Sequence, residues 1–297
     1  MSWLAGLLIG LQEIREHKFR SFLTMLGIIL GVASLLAMFA LTAGIASSWR
    51  TTMQQMGGLE RIGVIDGEVS LELANLATLS PGRTLADAEA LKASKHLISH
   101  VSPEMQTGAT LAASDGETVN GRVTGTWPDN LVVSQHRLHE GRFITDLDVE
   151  RGARVVVLGS SVAADLWPSE TDADFVGRTI TINGRPFTVA GVLEFYQREE
   201  DRQRRLREGG RRGGSFTLGG GRGPGGGRRD PFTWKNNSII IPLSTFYHEF
   251  RSGQADIPPL ALAKIDQLNF RVRDLSRFAE AVAEATAILK QTRRGID

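Results

Sequence analysis

The sequence predicts an α+β protein in which one transmembrane helix is followed by an extracytoplasmic domain of mixed helices and strands. Three observations carry this prediction. Residues 21–49, "SFLTMLGIILGVASLLAMFALTAGIASSW", contain no charged side chain, with Arg20 immediately before them and Arg50 immediately after. Residues 178–194, "RTITINGRPFTVAGVLE", alternate polar and apolar positions on both sides of Asn183-Gly184, a strong hairpin signal. Residues 84–96 and 275–294 have the spacing of amphipathic helices.

The uncharged run comes first. A hydrocarbon core about 30 Å thick is crossed by roughly 20 helical residues. Twenty-nine residues make a helix of roughly 43 Å at about 1.5 Å per residue, enough to span and project beyond. A buried core helix would show a polar face, and this run shows none. A cleaved signal peptide would place its charges first and follow them with a shorter apolar core. Here the charges fall at 13–20 and the core is long, so the span is expected to be retained. Trp49 and Arg50 at one end and Arg20 at the other suit interfacial anchors.

The flanks set the orientation. Arg15, Lys18 and Arg20 precede the run, whereas Arg50 and Arg61 follow it more widely spaced. The denser cations place the N-terminus in the cytoplasm and the bulk of the chain outside the cytoplasmic membrane. The absence of cysteine is compatible with that location. Residues 1–20 repeat apolar side chains at Trp3, Leu4, Leu7, Leu8, Leu11 and Ile14, the pattern of an amphipathic helix lying in the interface with Trp3 at headgroup level. Gly27 and Gly31, in "GIILG", form a small-xxx-small pair that permits close helix packing.

The remaining elements follow in order. "TLADAEALKASKH" (84–96) opens with Thr84 and Asp87 in capping-box spacing and reads as helix. "DLDVERG" (146–152) resembles part of a calcium loop but lacks its glycine and closing acid, and reads as an acidic turn. "RVVVLG" (154–159) is a β-branched strand, and "NSIIIPL" is another. "QLNFRVRD" (267–274) is a strand leading into a closing helix whose apolar stripe is expected at Phe278, Val282, Ala285 and Leu289.

Composition bounds function. The hydrophobic share of 41 % allows a span plus one large or two small domains, and a net charge of +1 gives no case for nucleic acid. Residues 197–232 are a charged and then Gly/Arg-rich tract too poor in apolar residues to pack, expected to be a disordered loop. No phosphate-cradling P-loop, nucleophile elbow or thiol is present. His96 with His100, and His136 with His139, have helical spacing for half a zinc site, but a pair does not fill a tetrahedral site, and surface histidines are expected. No catalytic, cofactor-binding or metal residue is therefore assigned.

These residues resemble a family. "FRSFLTMLGIILGVASLLAM" is similar to the opening transmembrane segment of MacB-type (FtsX-like) ABC-transporter permeases. The order of "VSPEMQTGATL", "VTGTWPDNL", "LHEGRFITDLD", "RVVVLGSSVAADLWP", "VGRTITINGRPFTVAGVLE", "SIIIPLSTF" and "LNFRVRDLSRFAEAVAEATAIL" resembles that of their periplasmic core domain. The resemblance covers essentially the whole chain except the Gly/Arg tract. It implies a split α/β porter subdomain around an inserted β-rich sabre subdomain. The expected division is a cytoplasmic segment (1–20), a transmembrane helix and stalk (21–56), porter (57–130), sabre (131–263) and the second porter part with the stalk end (264–297).

The same resemblance implies a non-catalytic permease subunit working with a separate ABC ATPase, a second permease protomer and a periplasmic adaptor. It would couple ATP hydrolysis to extracytoplasmic substrate handling. Family permeases continue into three further membrane helices, so a truncated product or half of a split permease is expected. The alternative is a single-span anchored binding or sensor module without an ATPase.

Overall fold

The computed structural model describes residues 17–55, 58–65, 82–94, 96–114, 117–168, 174–196, 232–251 and 259–293. Residues 1–16 of the expected interfacial segment, with Trp3, and all but the last residue of the Gly/Arg tract lie outside the described residues. The chain divides into two compact units, Met1–Thr52 and Met53–Asp297.

Helix α1 (Lys18–Gln55) runs for 38 residues, roughly 57 Å at 1.5 Å per residue. It is long and apolar enough to cross a membrane, and its most apolar window is wholly unburied by the chain itself. Three of its hydroxyls bond back within the helix. Thr24 donates to the Arg20 carbonyl (3.0 Å), Thr42 to that of Met38 (2.9 Å) and Ser47 to that of Gly44 (3.0 Å). Such back-bonding hides polar atoms that lipid cannot solvate.

The second unit is built on a sheet ordered β1 (Arg61–Val64), β9 (Gln267–Val272), β2 (Ile98–Ala113), β3 (Thr118–Thr126), β8 (Ile239–Pro242), β5 (Val155–Leu158), β7 (Arg185–Leu193) and β4 (Leu138–Gly141). Strand β6 (Thr179–Ile182) pairs with both β7 and β2, so β2, β3, β8, β5, β7 and β6 form a closed ring. The hairpin joining β6 to β7 turns at Asn183 (φ 48°) and Gly184 (φ 79°), both left-handed as a two-residue turn requires. Asn183 then clips the turn to β2, exchanging hydrogen bonds with the Thr110 backbone at 2.9 Å each way.

Alternation explains the short apolar runs. In β5, Val156 and Leu158 face the main core while Val157 faces a smaller one, and in β8 Ile239 and Ile241 oppose Ile240 in the same way. Both strands are buried on both faces, which is why they read as continuous apolar stretches. Gly125 in β3 is a packing requirement, since a Cβ there would lie 2.3 Å from Cβ of Phe246 in the short helix over it.

Two helix starts are capped reciprocally. In α2 (Leu85–Ala93), the Asp87 carboxylate accepts from the Thr84 N–H at 2.9 Å. The expected helix is therefore present, ending at Ala93. "DLDVERG" corrects the sequence reading: Asp146–Arg151 is a short helix, not a turn. Asp148 accepts from the Thr145 N–H (2.9 Å), and Gly152 ends the helix in the left-handed region at φ 59°. Closing helix α8 (Phe278–Thr292) keeps Ala285 and Leu289 of its expected stripe but not Phe278. Ala281 and Ala285 are its buried residues, with Ile288 and Leu289 packed beside them, while Phe278 stays exposed.

Asp87 ties the two ends of this unit together. Besides capping α2 it accepts from Nε of Arg293 at 3.3 Å and from the Thr292 hydroxyl, both at the end of α8. The Arg293 and Asp87 side chains are 5 % and 2 % exposed, so solvent does not screen the pair. Removing one partner of a buried pair costs about 3–5 kcal/mol. Asp87→Ala should therefore lower the thermal midpoint of this second unit by roughly 10 °C, read by circular dichroism of the purified chain. A shift within error would show that the tie contributes nothing.

Candidate functional site

Strands β2 and β3 send alternate side chains to opposite faces. Met105, Leu111 and Val123 enter the core, whereas Glu104, Gln106, Asn120, Arg122 and Thr124 line a cleft of about 890 Å³. Arg61 of β1 and Gln267 of β9 extend the floor. The walls come from Asn130, Ser134 and His136 after β3, Val162 and Asp165 of α5 (Ser160–Leu166), and Thr233, Trp234, Asn237 and Ser238 before β8.

Glu104 anchors the floor and is only 6 % exposed. Its Oε1 accepts from Nδ2 of Asn130 (3.0 Å) and of Asn269 (3.2 Å), and its Oε2 from Nε2 of Gln106 (3.3 Å). Asn130 also donates to Ser102 Oγ at 2.9 Å; Ser102 meets Thr126 Oγ1 at 3.1 Å, and Thr126 donates to the Pro103 carbonyl at 2.8 Å. Burial pushes the Glu104 carboxyl above the ordinary carboxylate range, opposed by the nearby Arg61 charge and the three amides.

A cationic cluster borders the cleft. Lys235 is fully buried, its Nζ 3.1 Å from the Gln135 carbonyl, 4.4 Å from the Tyr196 ring centroid and 5.6 Å from that of Trp234. Tyr196 donates to the same carbonyl at 3.2 Å and accepts from the Arg137 N–H at 2.6 Å. Gln135 adopts φ 49°, which turns its carbonyl to both. Burial, then Arg61 and Arg137, lowers the Lys235 ammonium to about 7. The His136 imidazole, 5.9 Å from the Trp234 ring and 6.4 Å from that of Phe143, is lowered to about 3 by burial, Lys235 and Arg61.

The groups offered by this arrangement are recognition groups: amides, hydroxyls, two arginines, a carboxylate on the far wall and the face of Trp234, which is 41 % exposed. The histidine pairs are not helical. His96 follows α2 and His100 lies in β2, while His136 is in a loop and His139 in β4. His136 is buried, correcting the expectation of surface histidines. No group of three potential metal ligands occurs among the described residues. Arg20, Trp49 and Arg50 are exposed on α1, and a Cβ at Gly27 or Gly31 would meet nothing within 4 Å. Glu104, Asn130 and Asn269 are not assigned from sequence, although polar residues at every second position (102, 104, 106) carry the signal of a polar sheet face. Lys235 has no such signal.

A family profile described as the MacB-like periplasmic core domain matches residues 21–288. Among curated relatives, the macrolide export ATP-binding/permease protein MacB of Campylobacter jejuni is 28 % identical over 189 residues, covering 63 % of this chain and 28 % of that protein. The protein of the same name from Agrobacterium fabrum is 34 % identical over 182 residues, covering 61 % and 27 %. The chain thus spans under a third of the length of these relatives. The fold is similar to the crystal structure of the periplasmic region of MacB from Actinobacillus actinomycetemcomitans, with TM-score 0.56 and 17 % identity over 82 % of this chain and 89 % of that one. It is also similar to the extracellular domain of the noncanonic ABC-type transporter YknZ from Gram-positive bacteria, with TM-score 0.51 and 15 % identity over 80 % and 95 %.

The cationic cluster makes stability depend on pH in two windows. Between about 3 and 6.5 the unfolded chain protonates His136 and the folded chain does not, so stability falls as pH falls. Between about 7 and 10.5 the unfolded chain holds the Lys235 proton that the folded chain has lost, so stability rises with pH. Each group contributes at most about 1.4 kcal/mol per pH unit. In thermal melts across both windows, His136→Phe should flatten the acid slope and Lys235→Met the alkaline one. Slopes unchanged in both variants would contradict the assignment.

Proposed function

The chain belongs to the MacB-like periplasmic core domain family, and from that premise we propose that it is a permease subunit, or the N-terminal part of one, in an ABC-type export or mechanotransmission complex. One observation carries the reading. A single family match begins at residue 21 inside the apolar helix and runs to residue 288 in the closing helix. The continuity of that match supports taking the membrane segment and the second domain as one functional unit. The chain's contribution is mechanical: α1 passes motion between a separate ATPase and the external domain, which handles the transported molecule. The ATP-binding activity named for the longer relatives belongs, in this reading, to another chain.

The N-terminus is cytoplasmic and the domain lies on the far side of the inner membrane, as the cation density before residue 21 supports. Porter corresponds to 57–130 and 264–297, sabre to 131–263. Partners are the ATPase, a second permease protomer and a periplasmic adaptor, and Gly27 and Gly31 give α1 a face for close helix packing. With Arg20, Trp49 and Arg50 as interfacial anchors, a cysteine at Thr118 should react with an impermeant thiol reagent on intact spheroplasts and one at Gln12 should not. Reversed labelling would sink the topology.

Coupling has its own test. In vesicles containing the cognate ATPase and the remaining membrane helices, a Gly-Pro pair introduced at Ile45 and Ala46 should uncouple hydrolysis from export. Proline inside a helix costs about 3 kcal/mol and kinks it. Hydrolysis should continue while export falls, at normal membrane levels of the variant. Undiminished export would reduce α1 to an anchor.

A further inference from the structure

The cleft is bordered by an unfinished strand edge. Val119, Asn120, Gly121 and Arg122 all line it. Successive residues of a strand point to opposite faces, so four in a row reach one cavity only where the edge of the strand opens into it. The hydrogen-bonding pattern identifies which backbone groups are exposed there. Thr110 of β2 uses its N–H and C=O on Asn183, and Gln106 gives its N–H to Asp266, so both turn away from β3. Their partners across the antiparallel ladder, Asn120 and Thr124, likewise turn away from β2, and so does Arg122 between them. Strand β8 covers this side of β3 only from Val123 onward. By the same alternation the Asn120 N–H and C=O point to the side of β3 that β8 leaves uncovered.

Charge indicates what would complete the edge. Among the described residues, Arg122 faces the cleft with one side-chain hydrogen bond, 3.4 Å to Gln106 Oε1, and Arg61 makes a ring contact with Trp234 at 5.8 Å but no ion pair. Glu104 beside them is already engaged by three amides. We propose that the cleft binds an extended acidic peptide segment, which adds as a strand to β3 at Asn120 and Arg122 and sets its carboxylates against Arg122 and Arg61. Strand addition gives affinity through the main chain and selects alternate side chains, and opposite charges directly across a strand pair attract. Asp165 on the other wall accepts an amine or amide of the same segment. The proposal goes beyond the permease reading and does not depend on it, because binding is measured on this chain alone.

The test uses the full chain in detergent and fluorescence anisotropy of labelled, capped peptides. The probes are Thr-Glu-Val-Glu-Thr, its Thr-Lys-Val-Lys-Thr counterpart, and two forms of the acidic peptide N-methylated on one or the other set of alternate amides. The acidic peptide should bind about tenfold tighter than the basic one, and one N-methylated form, not both, should lose about tenfold. Asn120→Pro removes the outward N–H without touching the β2 ladder and should weaken binding about tenfold, whereas Asn120→Ala should stay within about threefold. Thermal midpoints check folding; if Asn120→Pro is unfolded, the N-methylated pair decides. Equal binding of the two N-methylated forms, equal binding of acidic and basic peptides, or no binding up to a few millimolar overturns the proposal. So does tighter binding of chitotetraose that Trp234→Ala abolishes, which would assign the cleft to a glycan.

Discussion

The sheet domain depends on the burial of one carboxyl group, that of Glu104. An unpaired carboxylate in such a place costs several kcal/mol or forces protonation. Here three amides reach it from separate parts of the chain: Gln106 on the same strand, Asn130 after β3 and Asn269 on β9. Those contacts hold β9, β2 and the segment after β3 in one arrangement. The Ser102–Thr126–Pro103 chain then ties β2 to β3 below it. A partly satisfied network would be worse than an apolar one, so these residues stand or fall together.

Around that floor the sheet closes into a ring through β6, which limits exposed edges without removing them all. Strand β3 is longer than β8, and in the stretch before Val123 that β8 leaves uncovered Asn120 and Arg122 turn their side chains to the polar cleft while Val119 packs against the core. The same ring explains the doubly apolar β5 and β8, which lie between its two packed faces. A polar face and an apolar core thus share one sheet, separated only by the alternation of side chains.

Three basic side chains cluster here, Arg61 and His136 lining the cleft and Lys235 buried behind Trp234. Burial lowers the other two first, and the Arg61 charge, which arginine keeps in nearly any protein environment, adds to it: Lys235 falls to about 7 and His136 to about 3. The cluster therefore carries less positive charge than its sequence suggests. Tyr196, Trp234 and the Gln135 carbonyl make its burial tolerable by offering ring faces and an acceptor.

What the sequence determined by itself was local. The uncharged run, the Asn183-Gly184 turn and the Thr84–Asp87 cap are each contained within a few helical turns or one hairpin, so spacing alone exposes them. The family resemblance rested on the order of such segments. Tertiary structure decided the rest. Asp148 caps a helix and pairs with Arg142 (2.6 Å), a partner that its own segment, "DLDVERG", does not contain. In α8 the buried stripe is Ala281 and Ala285 because this helix packs against α2, where small side chains allow close approach, and hydrophobicity alone favours Phe278. The cleft is the extreme case. Glu104, Asn130 and Asn269 are separated by up to 165 positions along the chain, and only a sheet that places β9 beside β2 brings them within hydrogen-bonding distance.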